Sequence, residues 1–194
     1  MTNRSVRDGA VSKKEIFGND FVVTGMRIPQ DYFTATGKGE SDITVHAGSY
    51  HLALKAAGIE MCNIMTYSSI MPKEAHKIKR PNLPHGSVME TIMAVATSKK
   101  GERATAGIIY GWLYDRKTKE KFGGLVCEYN GTYTLEEVKT KLRASLDELY
   151  TNGFSRKYRL KDITLLTESF APKKAYGTAL VAICFTSYIF PVRK

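Results

Sequence analysis

The chain has no apolar run near the roughly 18 residues that a membrane-spanning helix requires, and its polar beginning lacks the apolar core of a secretory leader. A soluble, cytoplasmic protein without a membrane partner is the expectation. Cysteine is scarce. Cys62, Cys127 and Cys184 are odd in number and far apart, which argues against a disulfide framework and against a zinc knuckle. They read as small buried hydrophobes of a reducing compartment. The four histidines, His46, His51, His76 and His85, show neither His-Glu-x-x-His spacing nor an accompanying Gly-x-Ser-x-Gly, so no metal centre and no serine triad is expected. Gly37-Lys38-Gly39 is not completed by Gly-Lys-Ser/Thr, so a phosphate-cradling loop is missing too. Acidic residues are the minority, 19 against 29 basic, for a formal charge of +10. Such an excess can attract nucleic acid, but the basic residues are scattered over loops with no interleaved aromatics to stack on bases, and a solvated basic surface is the expectation.

What is present fits one packed domain, because 194 residues with 43% hydrophobic content suffice for a single core. Residues 1–30 lack a clear period and read as an arm, with Phe21-Val22-Val23-Thr24 as a short strand; residues 31–194 form the domain. Tyr32 to Thr36 is rich in β-formers, and Gly37-Lys38-Gly39 is expected to turn the chain. Ala47 to Ala57 is a small-residue helix capped by Gly58, followed at once by a buried strand, Met61 to Tyr67. Gly86 to Thr97 and Ala104 to Leu113 read as a hairpin, with Phe122 to Tyr129 as a third adjacent strand. Thr134-Leu135-Glu136-Glu137 is a capping box that opens a helix with a stripe of Leu135, Val138, Leu142, Leu146 and Leu149. Strands at Tyr158 to Thr167 and Gly177 to Ile189 complete an α+β sandwich of mostly antiparallel sheets.

The chemistry concentrates where the Met61 strand ends, at Ser68-Ser69-Ile70-Met71-Pro72. Two serines in a loop are by themselves a solvated turn. Here an asparagine, Asn63, stands five residues earlier, and a carboxylate, Glu128, lies inside a later apolar strand. This combination fits cleavage of the chain by itself. Attack of the Ser69 hydroxyl on the Ser68 carbonyl turns the peptide into an ester, and the developing oxyanion needs a donor such as the Asn63 amide. Elimination and hydrolysis then leave a pyruvoyl group in place of Ser69.

These residues carry a resemblance to the pyruvoyl-dependent arginine decarboxylases. The matching stretches are Ser49 to Ile59, Asn63-Ile64, Ser68 to Pro72, His85-Gly86-Ser87-Val88, Ile92-Met93-Ala94, Cys127-Glu128-Tyr129 and Tyr176-Gly177-Thr178, within about residues 30–190. The resemblance implies an αββα sandwich, and cleavage into a β chain, residues 1–68, and an α chain, residues 69–194. It also implies a covalent pyruvoyl cofactor from Ser69, and a homotrimer or hexamer with sites between subunits. Asn63 and Ser68 then serve processing, Glu128 is the catalytic proton donor, and His51 and Ile70 lie on the substrate side. The implied reaction converts arginine to agmatine and carbon dioxide through a Schiff base whose iminium takes up the electrons released. A carboxyl inside an apolar strand is expected to hold its proton more firmly than usual, as a donor must.

One position departs from the family pattern. His51 stands where members usually carry an acidic residue facing the substrate guanidinium, and an imidazole cannot form the paired, charge-assisted bonds of a carboxylate. Glu40 or Asp42 is the candidate replacement. The same chemistry on a different amino acid, or an unprocessed paralogue serving as an assembly subunit, are the alternatives.

Overall fold

A computed structural model describes residues 25–191 of the chain. The strand expected at Phe21 to Thr24, and most of the arm, lie outside the described residues. The elements run β1 (Ile28–Pro29), β2 (Asp31–Ser41), a π-helical turn (Val45–Tyr50) continuing into α1 (His51–Ala57), β3 (Asn63–Thr66), β4 (Ile70–Pro72), β5 (His76–Lys77), β6 (Val88–Lys99) and β7 (Ala104–Asp115). They continue as β8 (Lys121–Gly131), α2 (Leu135–Gly153), β9 (Tyr158–Phe170), β10 (Tyr176–Phe185) and β11 (Tyr188–Ile189). One sheet has the order β3-β6-β10-β2-β5 and the other β4-β8-β7-β9, while β1 and β11 form a small ribbon. Pairing is antiparallel except for β2 with β5 and β3 with β6.

The alternation of side chains along a strand explains the layering. In β10, Ala179, Val181 and Ile183 face the space between the two sheets, where they meet Ile108, Tyr110 and Val126 of the other sheet. Leu180, Ala182 and Cys184 face the opposite way and bury Ala53, Leu54 and Ala57 of α1. On the far side, Val138, Leu142 and Leu146 of α2 cover Ile109, Leu113 and Leu125. The result is a mixed α+β sandwich, helix on sheet on sheet on helix. The capping box forms as expected: the Thr134 hydroxyl accepts from the Glu137 amide, and the Glu137 carboxylate accepts from the Thr134 amide. Leu135 and Leu149, at the ends of the stripe, are exposed.

Three expectations are corrected. Gly37-Lys38-Gly39 does not turn the chain, because β2 runs straight through it to Ser41. The glycines serve close approach instead: a Cβ on Gly37 would lie 2.2 Å from the Ala53 carbonyl oxygen, and one on Gly39 would lie 2.5 Å from the Ala53 amide nitrogen. β6 and β7 do not pair as a hairpin. They belong to different sheets, so the exposed residues 100–103 lead the chain from one sheet to the other, and it is β7 and β8 that form a hairpin. The strand after α1 is shorter than expected and is an exposed edge rather than a buried strand, with Met65 half open to solvent at 54%.

Candidate active site

β3 is an edge of one sheet and β4 is an edge of the other, so the short link between them crosses from sheet to sheet on one side of the sandwich. The link is Tyr67-Ser68-Ser69. The Tyr67 amide donates to the Thr91 carbonyl at 2.7 Å, which closes the β3–β6 ladder. Beyond the link, Ile70, Met71 and Pro72 pair with Leu125, Gly124 and Gly123 of β8, and fully buried Met71 anchors β4 in the core. Pro72 ends the strand, as its missing N–H requires.

β8 runs on past the end of β4 to Glu128. Its alternation puts Leu125 and Cys127 toward α2, whereas Glu128 shares the face of Val126, which looks into the space between the sheets. The half-buried carboxylate therefore meets the link end-on. Ser69 Oγ donates to Glu128, lying 2.8 Å from Oε1 and 2.7 Å from Oε2. No ion pair among the described residues involves Glu128. Its neighbour Cys127 has its thiol pushed up, first by burial and then by the Glu128 charge, which keeps it protonated. The Ser68 carbonyl accepts a hydrogen bond from the Ile70 amide at 2.9 Å, a three-residue γ-turn with Ser69 at its apex.

The other residues singled out in the sequence are placed differently. Ser68 and Ile70 flank Ser69, both exposed, Ile70 to 72%. Asn63 lies at the opposite end of β3, roughly 15 Å from Ser68 at the rise of a strand. Its side-chain amide donates to the Gly86 carbonyl at 2.9 Å. His51 is the first residue of α1, exposed, on the outer face of the other layer. Glu40 accepts from the amides of Lys173 and Lys174, and Asp42 from that of Ala175, so both carboxylates hold the 173–175 turn.

Sequence reasoning did not single out Glu90. This carboxylate of β6 is almost fully buried, forms an ion pair with Arg27 and accepts a hydrogen bond from the Tyr67 hydroxyl. The signal was present, since Glu90 is a single acid within an apolar strand, the same feature that drew notice to Glu128. Among the described residues, no three or more His, Cys, Asp or Glu are grouped to hold a metal ion. No helix among them is long and apolar enough to cross a membrane.

Comparison with known proteins gives the family. The pattern described as pyruvoyl-dependent arginine decarboxylase (PvlArgDC) matches residues 31–190. The pyruvoyl-dependent arginine decarboxylase of Methanopyrus kandleri is 27% identical over 157 residues, 81% of this chain and 96% of that protein. That of Methanococcus aeolicus is 28% identical over 82% of this chain and 92% of its own length. Pyruvoyl-dependent arginine decarboxylase AaxB of Chlamydia trachomatis is 37% identical over 119 residues, 54% of this chain and 60% of its own. Fold and similarity together define a carboxy-lyase that works with a covalently bound pyruvoyl group. The chain belongs to the pyruvoyl-dependent arginine decarboxylase family.

Proposed function

We propose that the chain cuts itself between Ser68 and Ser69, and that the pyruvoyl so formed decarboxylates arginine to agmatine. The observation that carries this is the Ser69 hydroxyl held against the Glu128 carboxylate, with the adjoining Ser68 carbonyl already accepting from the Ile70 amide. Ser69 Oγ adds to the Ser68 carbonyl carbon, and the Ser69 nitrogen leaves it, so the amide becomes an ester. The Ile70 amide stands on the oxygen that gains charge in that addition. Loss of the Ser69 α-proton then breaks the Cβ–Oγ bond, freeing a carboxylate on Ser68 and leaving a dehydrated residue 69. Water replaces its nitrogen as ammonia, which makes the new end a ketone. Asn63 contributes by pinning the Gly86–Ser87 turn against which β3 starts, donating to Gly86 from its side chain and to Ser87 from its backbone.

The pyruvoyl ketone supplies an electron sink conjugated to the following amide. The chain supplies the proton. The Glu128 carboxyl, within hydrogen-bond reach of the residue 69 side chain, delivers it to the substrate α-carbon after carbon dioxide has left. Exposed apolar side chains of Met61, Met65 and Val88 lie along the open edge of β3, with exposed Ile70 beside the link, and a homotrimer, alone or paired as a hexamer, covers them. In such an assembly a neighbouring copy completes the guanidinium side of the site, which the single chain leaves to exposed His51.

The test is the denatured mass of purified protein beside a Ser69→Ala variant, followed by assay on arginine and a panel of other amino acids. The expected result is fragments of 68 and 126 residues, the latter being 194 minus 68, with the variant whole and arginine the preferred substrate. A single uncut wild-type chain overturns the processing reading, and a preference for another amino acid overturns the substrate.

A further inference from the structure

Directly behind the link stands a second carboxylate that takes no part in the bond-making and proton-delivery steps described above. Glu90 lies near the start of β6, between β3 and β10, its side chain 4% exposed, and burying a charge there is costly unless it is compensated. Two groups compensate it. The Arg27 guanidinium reaches it from the segment before β1, with Nε 3.3 Å from Oε2 and Nη2 paired to Oε1, while the Tyr67 hydroxyl donates to Oε2. Arg27 is itself held, its guanidinium carbon 5.1 Å from the centre of the Tyr188 ring. Tyr67 is the residue immediately before Ser68. Its ring packs at 5.8 Å on Phe185, a buried core residue, and its amide is fixed to Thr91. Tyr67 is thus gripped at backbone, ring and hydroxyl, while among the described residues Ser68 has only its carbonyl bond to Ile70. Arg27, Tyr67, Ser68 and Ile70 line one shallow cavity, so the ion pair and the link share a surface.

From this arrangement we infer that Glu90 is a positioning residue for self-cleavage: through the Tyr67 hydroxyl it fixes the Ser68 carbonyl in line for attack by Ser69, and Arg27 holds the Glu90 side chain in place. The inference rests on the processing proposed above. An attack across one peptide bond is sensitive to placement, since displacement by an ångström costs orders of magnitude in rate. The segment preceding β1 thereby becomes part of the maturation machinery rather than a passive arm.

The test follows the appearance of the 126-residue fragment after cell-free synthesis of the full chain, for wild type, Tyr67→Phe, Glu90→Gln and the double variant. Tyr67→Phe keeps the ring on Phe185 and removes only the hydroxyl. Cleavage is expected to slow about tenfold or more with the melting temperature of the uncut chain nearly unchanged. The double variant is expected to be no slower than the slower single variant, because Glu90 acts on the link through the Tyr67 hydroxyl, which Tyr67→Phe already removes. Wild-type rates in Tyr67→Phe, or losses that multiply independently in the double variant, overturn the inference. A wild-type chain that never cuts overturns the processing reading and this role with it, and is recognised because the failure is already present without substitution.

Discussion

Ser69 and Glu128, 59 residues apart in sequence, meet through a hydroxyl within 2.8 Å of both carboxylate oxygens. The contact depends on β4 beginning at Ile70, opposite Leu125 and three residues short of Glu128 along β8, which leaves the carboxylate uncovered where the chain crosses between the sheets. Glu128→Gln keeps the size of the side chain and removes the transferable proton. In protein that has acquired its pyruvoyl, turnover per pyruvoyl is expected to fall by about 10²–10⁴-fold, the usual worth of a positioned acid. Carbon dioxide release, normalised to carbonyl content, measures it.

Substrate choice is predicted to follow the charge at the start of α1. His51→Asp supplies a carboxylate able to form paired bonds with a guanidinium, worth more than neutral contacts. KM for arginine is expected to fall by about tenfold with kcat little changed, if about 1.4 kcal/mol of uniform binding is gained. An unchanged or higher KM in steady-state assays removes His51 from the guanidinium side.

Gly37→Ala is predicted to destabilise the fold even though glycine inside a strand is ordinarily less stable than alanine. Its Cβ would stand 2.2 Å from the Ala53 carbonyl oxygen and 2.7 Å from the Ala57 amide nitrogen, both backbone atoms that cannot turn away. Pushing α1 off β2 is expected to cost about 3 kcal/mol, near the upper end for overpacking. Chemical denaturation of the uncut Ser69→Ala chain, with and without Gly37→Ala, reads the difference.

The cap of α2 gives a prediction that depends on pH. The Glu137 carboxyl is held below its ordinary value of 4.5, first by the Thr134 amide and then by the Thr134 hydroxyl. A lowered pKa in the folded state means stability that is present above pH 4.5 and is lost as pH falls through the folded value. Thr134→Ala is expected to cost about 1 kcal/mol near pH 7. The gap between variant and wild type is expected to narrow below pH 4.5, as measured by melting temperature across the acid range.

The sequence showed the elements better than their partners. The helix from Thr134 was readable because its cap and its stripe are local, and the same holds for Gly58 closing α1 with φ +69°. The neighbours of β6 were not readable, because Ser98 to Glu102 has the composition of a tight turn whether it joins two strands of one sheet or leads from one sheet to the other. Gly37 and Gly39 were misplaced for a related reason: a glycine that opens space for a helix and a glycine that turns the chain are identical in sequence. Ser69 and Glu128 were singled out by their chemistry and by resemblance. Their contact was not, since it depends on where β4 starts along β8. Glu90 was passed over because its partners, Arg27 and Tyr67, lie 63 and 23 residues away.

The crossing of the link between sheets determines what a cut at Ser68 does to the molecule as a whole. Residues up to Ser68 supply β2 and β3, and both are woven into a sheet whose other strands, β5, β6 and β10, come after the cut. β2 sits between β10 and β5, paired with β10 from Tyr32 to Ser41. The pieces therefore stay interleaved, and cutting the backbone releases neither. The order of the unfolding reaction does change. The uncut chain unfolds and refolds as one body, at an equilibrium independent of concentration, whereas the cut molecule separates into two strands of polypeptide that must find each other again. Dilution then favours the unfolded side by mass action. If the proposed cut is made, maturation is a one-way passage: the precursor carries the instructions for assembling the sheet, and the cut form keeps the sheet without the tether that built it.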